Sequence, residues 1–136
     1  MSLSSESASL ARKCIDLFNR HSLEWVDTCY AENVEWQELP LPTTPNGQHG
    51  DKELLRGAAA RVLGIFPDRE MSVERIVAEG DSVAMELVWN GTACATVGPL
   101  QKGTRLQYRI ASFLTIANGL ITKQTDYCVP FRGIPA

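Results

Sequence analysis

The sequence predicts an α+β fold, with helices gathered on one face of a curved antiparallel or mixed sheet. Three observations lead there. Helical spacing governs the apolar residues as far as Phe66, one short strand at 33–40 apart, and strand alternation governs them from Asp68 onward. Tight-turn signals, Glu79-Gly80-Asp81 and Asn118-Gly119, punctuate the second half. A chain of 136 residues suits one domain, 1–136, and can bury roughly two-thirds of its unfolded surface without staples.

Taken in order, Leu10, Cys14, Leu17 and Phe18 recur at helical spacing behind a Ser-rich lead-in, which predicts a helix over about 5–20. Ser22 can cap a shorter helix, "LEWVDTCY", whose Trp25, Val26 and Cys29 share a face. "NVEWQELP" alternates Val34, Trp36 and Glu38 against Glu35, Gln37 and Leu39, as a short strand does. Pro40, Pro42 and Pro45 enforce a loop through "PLPTTPNGQHG". A third helix runs from about Asp51 with Leu54, Ala58, Val62 and Phe66 at steps of four, and Pro67 ends it. "SVAMELVWNGTACA" alternates Val83, Met85, Leu87 and Trp89 against Ala84, Glu86, Val88 and Asn90, and Asn90-Gly91 inside it suggests a bulge. "TRLQYRIASFLTIA" sets Leu106, Tyr108, Ile110, Ser112, Leu114 and Ile116 on its apolar face. Asn118-Gly119 then turns the chain into a last strand.

Composition narrows the function classes. A net charge of −3 with no basic run argues against nucleic acid as a partner. The N-terminal segment has no apolar h-region, and no stretch approaches 18 apolar residues, so a cytoplasmic protein without a membrane partner is expected. Cys14, Cys29, Cys94 and Cys128 lie far apart with no C-x-x-C, which disfavours a metal site and reads as free buried thiols. There is no G-x-S-x-G elbow, P-loop or Rossmann glycine pattern, so no cofactor is expected.

The last strand, "LITKQTDYCVPF", carries the chemistry. Side chains alternate along it, so Gln124, Asp126 and Cys128 share a face. If that face is concave, Asp126 looks into a cavity where burial raises its pKa and suits it to carry protons. If not, it is a solvated carboxylate near a strand end. Trp36 is an apolar wall or a core residue, and Glu38 beside it is a second acid, an orienting acceptor or a rim group. His49, in the Gly-rich loop before the third helix, is a near-neutral base or an exposed loop residue. Tyr108 and Ser112 share a face, and the tyrosine hydroxyl either donates to a developing enolate or satisfies a backbone group in the core. Trp89 and Phe113 are core or interface residues, and an exposed convex sheet face suits a homodimer.

Three stretches together, "HGDKELLRGAAARVLGIFPD", "VERIVAEGDSVAMELVWNGT" and "GTRLQYRIASFLTIANGLITKQTDY", resemble the SnoaL-like polyketide cyclases of the NTF2-like superfamily. The resemblance covers about residues 8–130, and its most specific parts are "FPD", the "EGD" turn and the terminal "NG-x-I-x(4)-DY" strand. It implies a conical cavity between sheet and helices. It also implies cofactor-free aldol closure with an aspartate of the last strand, here Asp126, as proton shuttle. Family members often carry a histidine two residues earlier, where this chain has Gln124, which can orient a ligand but cannot exchange a proton at neutral pH.

The expectation is therefore a binder of a hydrophobic, polyketide- or steroid-like small molecule. Asp126 is its proton shuttle in a cyclisation or isomerisation, and Gln124, Tyr108, Ser112, Trp36, Glu38 and His49 bind substrate. A non-catalytic ligand-binding or dimerisation module is the alternative. Epoxide hydrolysis is another and needs an arginine among carboxylates, but Arg105 and Arg109 fall on the strand face opposite Tyr108.

Overall fold

The first helix buries Ser7, Ala11, Cys14, Leu17 and Phe18, the three-and-four spacing that one helix face requires. In the computed structural model, which describes residues 2–41 and 44–132, this is α1 (Leu3–Phe18). Ser2 caps it by accepting from the Ser5 amide at 3.1 Å, two residues earlier than the spacing suggests. There follow α2 (Glu24–Cys29), β1 (Tyr30–Glu38), β2 (Gln48–Gly50), α3 (Lys52–Ile65) and four long strands, β3 (Glu70–Glu79), β4 (Ser82–Thr92), β5 (Arg105–Ala117) and β6 (Leu120–Arg132). Among the described residues, no helix is long and apolar enough to cross a membrane.

The strands form one curved, open sheet in the order β2-β1-β6-β5-β4-β3. β1 and β6 run parallel and every other pair is antiparallel. Asn118 and Gly119 both have positive φ, the conformation a two-residue hairpin turn demands, and they join β5 to β6 in the register the sequence implies. The helices cover one face, α1 over β3 and β4 and α3 over β1 and β2. Three side chains fix α1 to the sheet, the first being Ser4, which accepts from the Gly80 amide at 2.9 Å. Ser7 donates to the Gly80 carbonyl at 2.8 Å, and the Asn19 amide exchanges two 2.8 Å bonds with the Met71 backbone at the start of β3.

Four expectations are corrected. Gln48–Gly50, read as loop, is a strand: it pairs with Trp36, Gln37 and Glu38, and three residues are too few to display a period. Pro42, expected to help enforce that loop, lies outside the described residues. Only half of the stripe 54/58/62/66 is buried: Ala58 and Phe66 lie in the core, Leu54 and Val62 are 39% and 36% exposed, and α3 rests on Leu55, Ala58 and Ala59. A step of four overshoots each turn by roughly 40°, so such a stripe winds off one face. No bulge occurs at Asn90-Gly91, whose pairing with Gln107 and Leu106 is unbroken. Glycine is needed there because a Cβ would lie 2.7 Å from Trp89 and 3.0 Å from Phe66, where the end of α3 meets the sheet. In the β3–β4 pair the register shifts on β3, between Val73 and Arg75, and the β1–β6 and β5–β6 pairs carry shifts of their own.

The cysteines are the fourth correction. Cys14 and Cys29 are joined by a disulfide, Cys94 is exposed, and Cys128 is half-buried. Cys14 on the inner face of α1 meets Cys29 at the end of α2 with Cα atoms 6.0 Å apart, a closeness that depends on how the two helices pack. The cysteines therefore no longer argue for a reducing compartment.

Candidate functional site

Because β-strand side chains alternate, the sheet register decides which groups meet on its concave face. Ser112 of β5 pairs with Asp126 of β6, and Asp126 with Glu38 of β1, which in turn pairs with Gln48 of β2. One row of polar side chains thus crosses four strands. In the adjoining row Gln124 lies beside Trp36. All of these line a cavity of about 240 Å³ between the sheet and the helices, whose remaining walls are mostly aromatic and aliphatic, among them Phe18, Leu55, Met85, Leu87 and Trp89.

Asp126 is the centre of the row. Its Oδ1 accepts from the Ser112 hydroxyl at 2.7 Å, and its Oδ2 accepts from the Trp36 indole N–H at 3.1 Å. The Gln124 amide nitrogen donates to both oxygens, at 3.0 and 2.9 Å. Burial raises the pKa of Asp126, and the bonds from Ser112, Trp36 and Gln124 oppose that rise without cancelling it. The carboxyl touches open cavity space, yet protein surrounds it closely enough for burial to dominate.

Gln124 is itself held. The Tyr30 hydroxyl donates to its carbonyl oxygen at 2.6 Å, which leaves the amide nitrogen turned toward Asp126. Burial, reinforced by the charge of Asp126, pushes the Tyr30 phenol far above its ordinary range, so it remains a donor. Glu38 is held from the opposite side, its Oε1 accepting from Gln48 at 3.1 Å and from Thr44 at 3.4 Å. Its pKa is raised, chiefly by burial. The Cys128 sulfur, 4.0 Å from the other oxygen of Glu38, is kept protonated by burial and the two neighbouring carboxylates.

Six of the seven residues that the sequence singled out therefore line one cavity: Asp126, Gln124, Ser112, Trp36, Glu38 and Tyr108. Tyr108 lies four residues along β5 from Ser112, roughly 13 Å at strand rise, edge-on to Trp89 with ring centroids 5.7 Å apart. His49 is not among the lining residues. It pairs with Gln37 on β1, and both point away from the cavity into solvent, because β2 adopts the alternation of its neighbour. Its neighbour Gln48 faces inward instead. Arg105 and Arg109 are exposed on the outer face of β5, so neither joins the carboxylates.

Sequence reading missed Tyr30, Gln48, Thr44, Trp25 and Arg69, all of which line the cavity. Tyr30 carried a usable signal, since it shares the parity of Val34, Trp36 and Glu38 once β1 is extended backward. Among the described residues, no three His, Cys, Asp or Glu side chains are grouped as metal ligands would be.

The model of the SnoaL-like domain matches residues 11–124 of the chain. No curated protein matches the sequence. Among solved structures, AclR of Streptomyces galilaeus, a candidate hydroxylase, is similar with a TM-score of 0.80 at 18% identity, over 96% of this chain and 82% of its own. IdmH of Streptomyces antibioticus, a candidate polyketide cyclase, is similar with a TM-score of 0.77 at 21% identity, over 90% and 91%. A candidate ketosteroid isomerase from Kribbella flavida gives 0.67 at 24%, over 100% and 87%. At these identities the likeness is one of fold, and that fold is NTF2-like.

Proposed function

We propose, from the premise that this chain belongs to the SnoaL-like domain family, that its cavity takes up a hydrophobic, polyketide- or steroid-like molecule and performs cofactor-free acid/base chemistry on it. One observation carries the reading. A carboxylate held by three donors, Ser112, Trp36 and Gln124, stands inside a cavity whose walls are mostly apolar, with its pKa raised. A carboxylate fixed in that way is oriented for proton transfer, and its basicity is shifted toward neutral pH.

Asp126 takes a proton from a carbon next to a substrate carbonyl, which leaves an enolate and a neutral carboxyl. The enolate carbon then attacks a second carbonyl of the same molecule, closing a ring, or is reprotonated at another position, shifting a double bond. In either case Asp126 returns the proton. The Gln124 nitrogen is shared between both carboxylate oxygens, so moving onto one of them frees a lone pair on the other. Glu38, which already accepts from Gln48 and Thr44, orients the substrate as a hydrogen-bond acceptor in the same polar row. Tyr108 and Trp89 bound the apolar body of the substrate. A second copy of the chain covers the outer sheet face, where Phe113, Tyr127, Val129 and Phe131 are exposed.

The test is Asp126→Asn assayed on a cyclisable polyketide-type triketone and on a β,γ-unsaturated ketosteroid. The variant is expected to lose roughly 10²-fold or more in turnover with a similar KM, the scale of a general acid/base. Turnover surviving in the variant ends the shuttle role. A ligand that binds in the cavity and is recovered unchanged from the wild type makes the protein a binding module.

A further inference from the structure

The cavity has a second polar end, and nothing in the acid/base reading uses it. Arg69 is the one cation among its described lining residues and is only 1% exposed. The turn that precedes β3 puts it there. Phe66 accepts from the Arg69 amide at 3.0 Å, Pro67 and Asp68 occupy the turn's centre, and Asp68 anchors the turn on the Thr92 amide at 2.8 Å. The guanidinium lies 3.9 Å above the Phe18 ring and donates to the carbonyls of Phe18, at 2.9 Å, and Ser22, at 3.3 Å. Those bonds use two of its five N–H groups. No carboxylate of the described residues forms an ion pair with it, and the shifts of Asp126 and Glu38 come from burial and from groups other than Arg69.

A buried cation without an anion is uncommon, because charge is withdrawn from water only when something replaces the water. A second observation points the same way. The Trp25 indole nitrogen is buried and has no hydrogen-bond partner, and Trp25 lines the same cavity, packed edge-on against the same Phe18 ring at 5.2 Å. Two sets of unused donors thus gather around Phe18, and neither bonds Asp126 or Glu38.

Building on the small-molecule reading, we propose that Arg69 and Trp25 anchor the ligand, and that the ligand is an apolar, ring-containing acid. It carries an anionic oxygen group, a carboxylate or an ionised acidic enol, at the end remote from the carbon that Asp126 addresses. The anion neutralises Arg69 and accepts from Trp25, which fixes the direction in which the ligand enters.

The test compares 2-naphthoate with its neutral isostere 2-naphthamide. Binding is followed by intrinsic fluorescence, since all three tryptophans, Trp25, Trp36 and Trp89, line the cavity. The wild type is expected to favour the naphthoate roughly 10- to 100-fold, the scale of a charge-assisted bond, and Arg69→Met to reduce the ratio to about one. Arg69→Lys keeps a cation near the Phe18 carbonyl should the methionine variant misfold, and is expected to lose most of the preference with the fork. Equal binding of both probes by the wild type, or a preference that survives in every folded variant, overturns the anchor and leaves the cavity reading intact. Failure of both probes to bind at millimolar concentration overturns the cavity reading and the anchor with it.

Discussion

At Asp126 burial pulls toward the neutral acid while Ser112, Trp36 and Gln124 pull toward the anion, and burial prevails. A folded-state pKa above the unfolded value means that the native protein keeps this proton after the unfolded chain has released it. The contribution to stability is thus full below the unfolded value, near pH 4 by the ordinary carboxylate range, and is lost as pH rises through the folded value. In melts between pH 4 and pH 8, the Tm of the wild type relative to Asp126→Asn is expected to fall as pH rises. Glu38 has the same sign but is present in both proteins, as is the exposed Asp68, whose opposite shift comes from the Thr92 amide. A difference that is flat or rises with pH contradicts the raised pKa. Tyr30 makes a second case. Tyr30→Phe leaves the buried carbonyl of Gln124 without its donor, which costs about 1–3 kcal/mol and shows as a lower urea midpoint. Strand parity grouped Gln124 with Asp126 and Tyr108 with Ser112, and the resemblance to the SnoaL-like cyclases turned the Asp126 face toward a cavity. The register between strands then brings Ser112 and Trp36 to it. Arg69 and Trp25 were not legible, because a turn residue and a short helix carry no period that says where a side chain ends up.

Two contacts between elements, α3 on β4 and α1 on α2, can be probed by substitution. Gly91 lets the end of α3 rest on β4, and Gly91→Ala drives a methyl into Trp89 and Phe66. Overpacking of this kind costs about 1–3 kcal/mol, so a lower Tm is expected together with a changed environment for Trp89 in near-UV dichroism. An unchanged Tm means that Phe66 yields freely and that the α3–β4 contact is loose. The bond between Cys14 and Cys29 ties α1 to α2 across a separation of 15 residues, which on chain-entropy grounds stabilises the fold by about 3 kcal/mol. Reductant is expected to lower the Tm of the wild type and leave that of a Cys14→Ser, Cys29→Ser double variant unmoved. α1, β4 and β5 could be read from the sequence because each is long enough to repeat its period several times. β2 has three residues and exists only through its partner β1, and the inner face of α3 is set by which side meets the sheet. The disulfide depends on the packing of two helices, which spacing along the chain does not encode.

Over the whole molecule, one face of the sheet is covered by helices and cavity while the other is open. On that outer face Phe113, Tyr127, Val129 and Phe131 are 52%, 46%, 60% and 49% exposed, and adjoining exposed apolar groups mark interaction sites more often than singly scattered ones do. Tyr127 and Val129 share one side of β6, and the Phe113 and Tyr127 rings meet edge-on at 5.8 Å, so the apolar groups form a patch across two central strands. A patch in the middle of a sheet suits a face-to-face, two-fold contact in which the same residues meet their own copies. Sedimentation at micromolar concentration is expected to give a dimer, and a Tyr127→Asp, Val129→Asp variant a monomer. Neither residue lines the cavity, so the monomer is expected to retain probe binding and thereby separate assembly from the site. A wild type that sediments as a monomer rules out the dimer and leaves an exposed apolar face that must be soluble for some other reason. A variant that stays dimeric moves the contact to another surface.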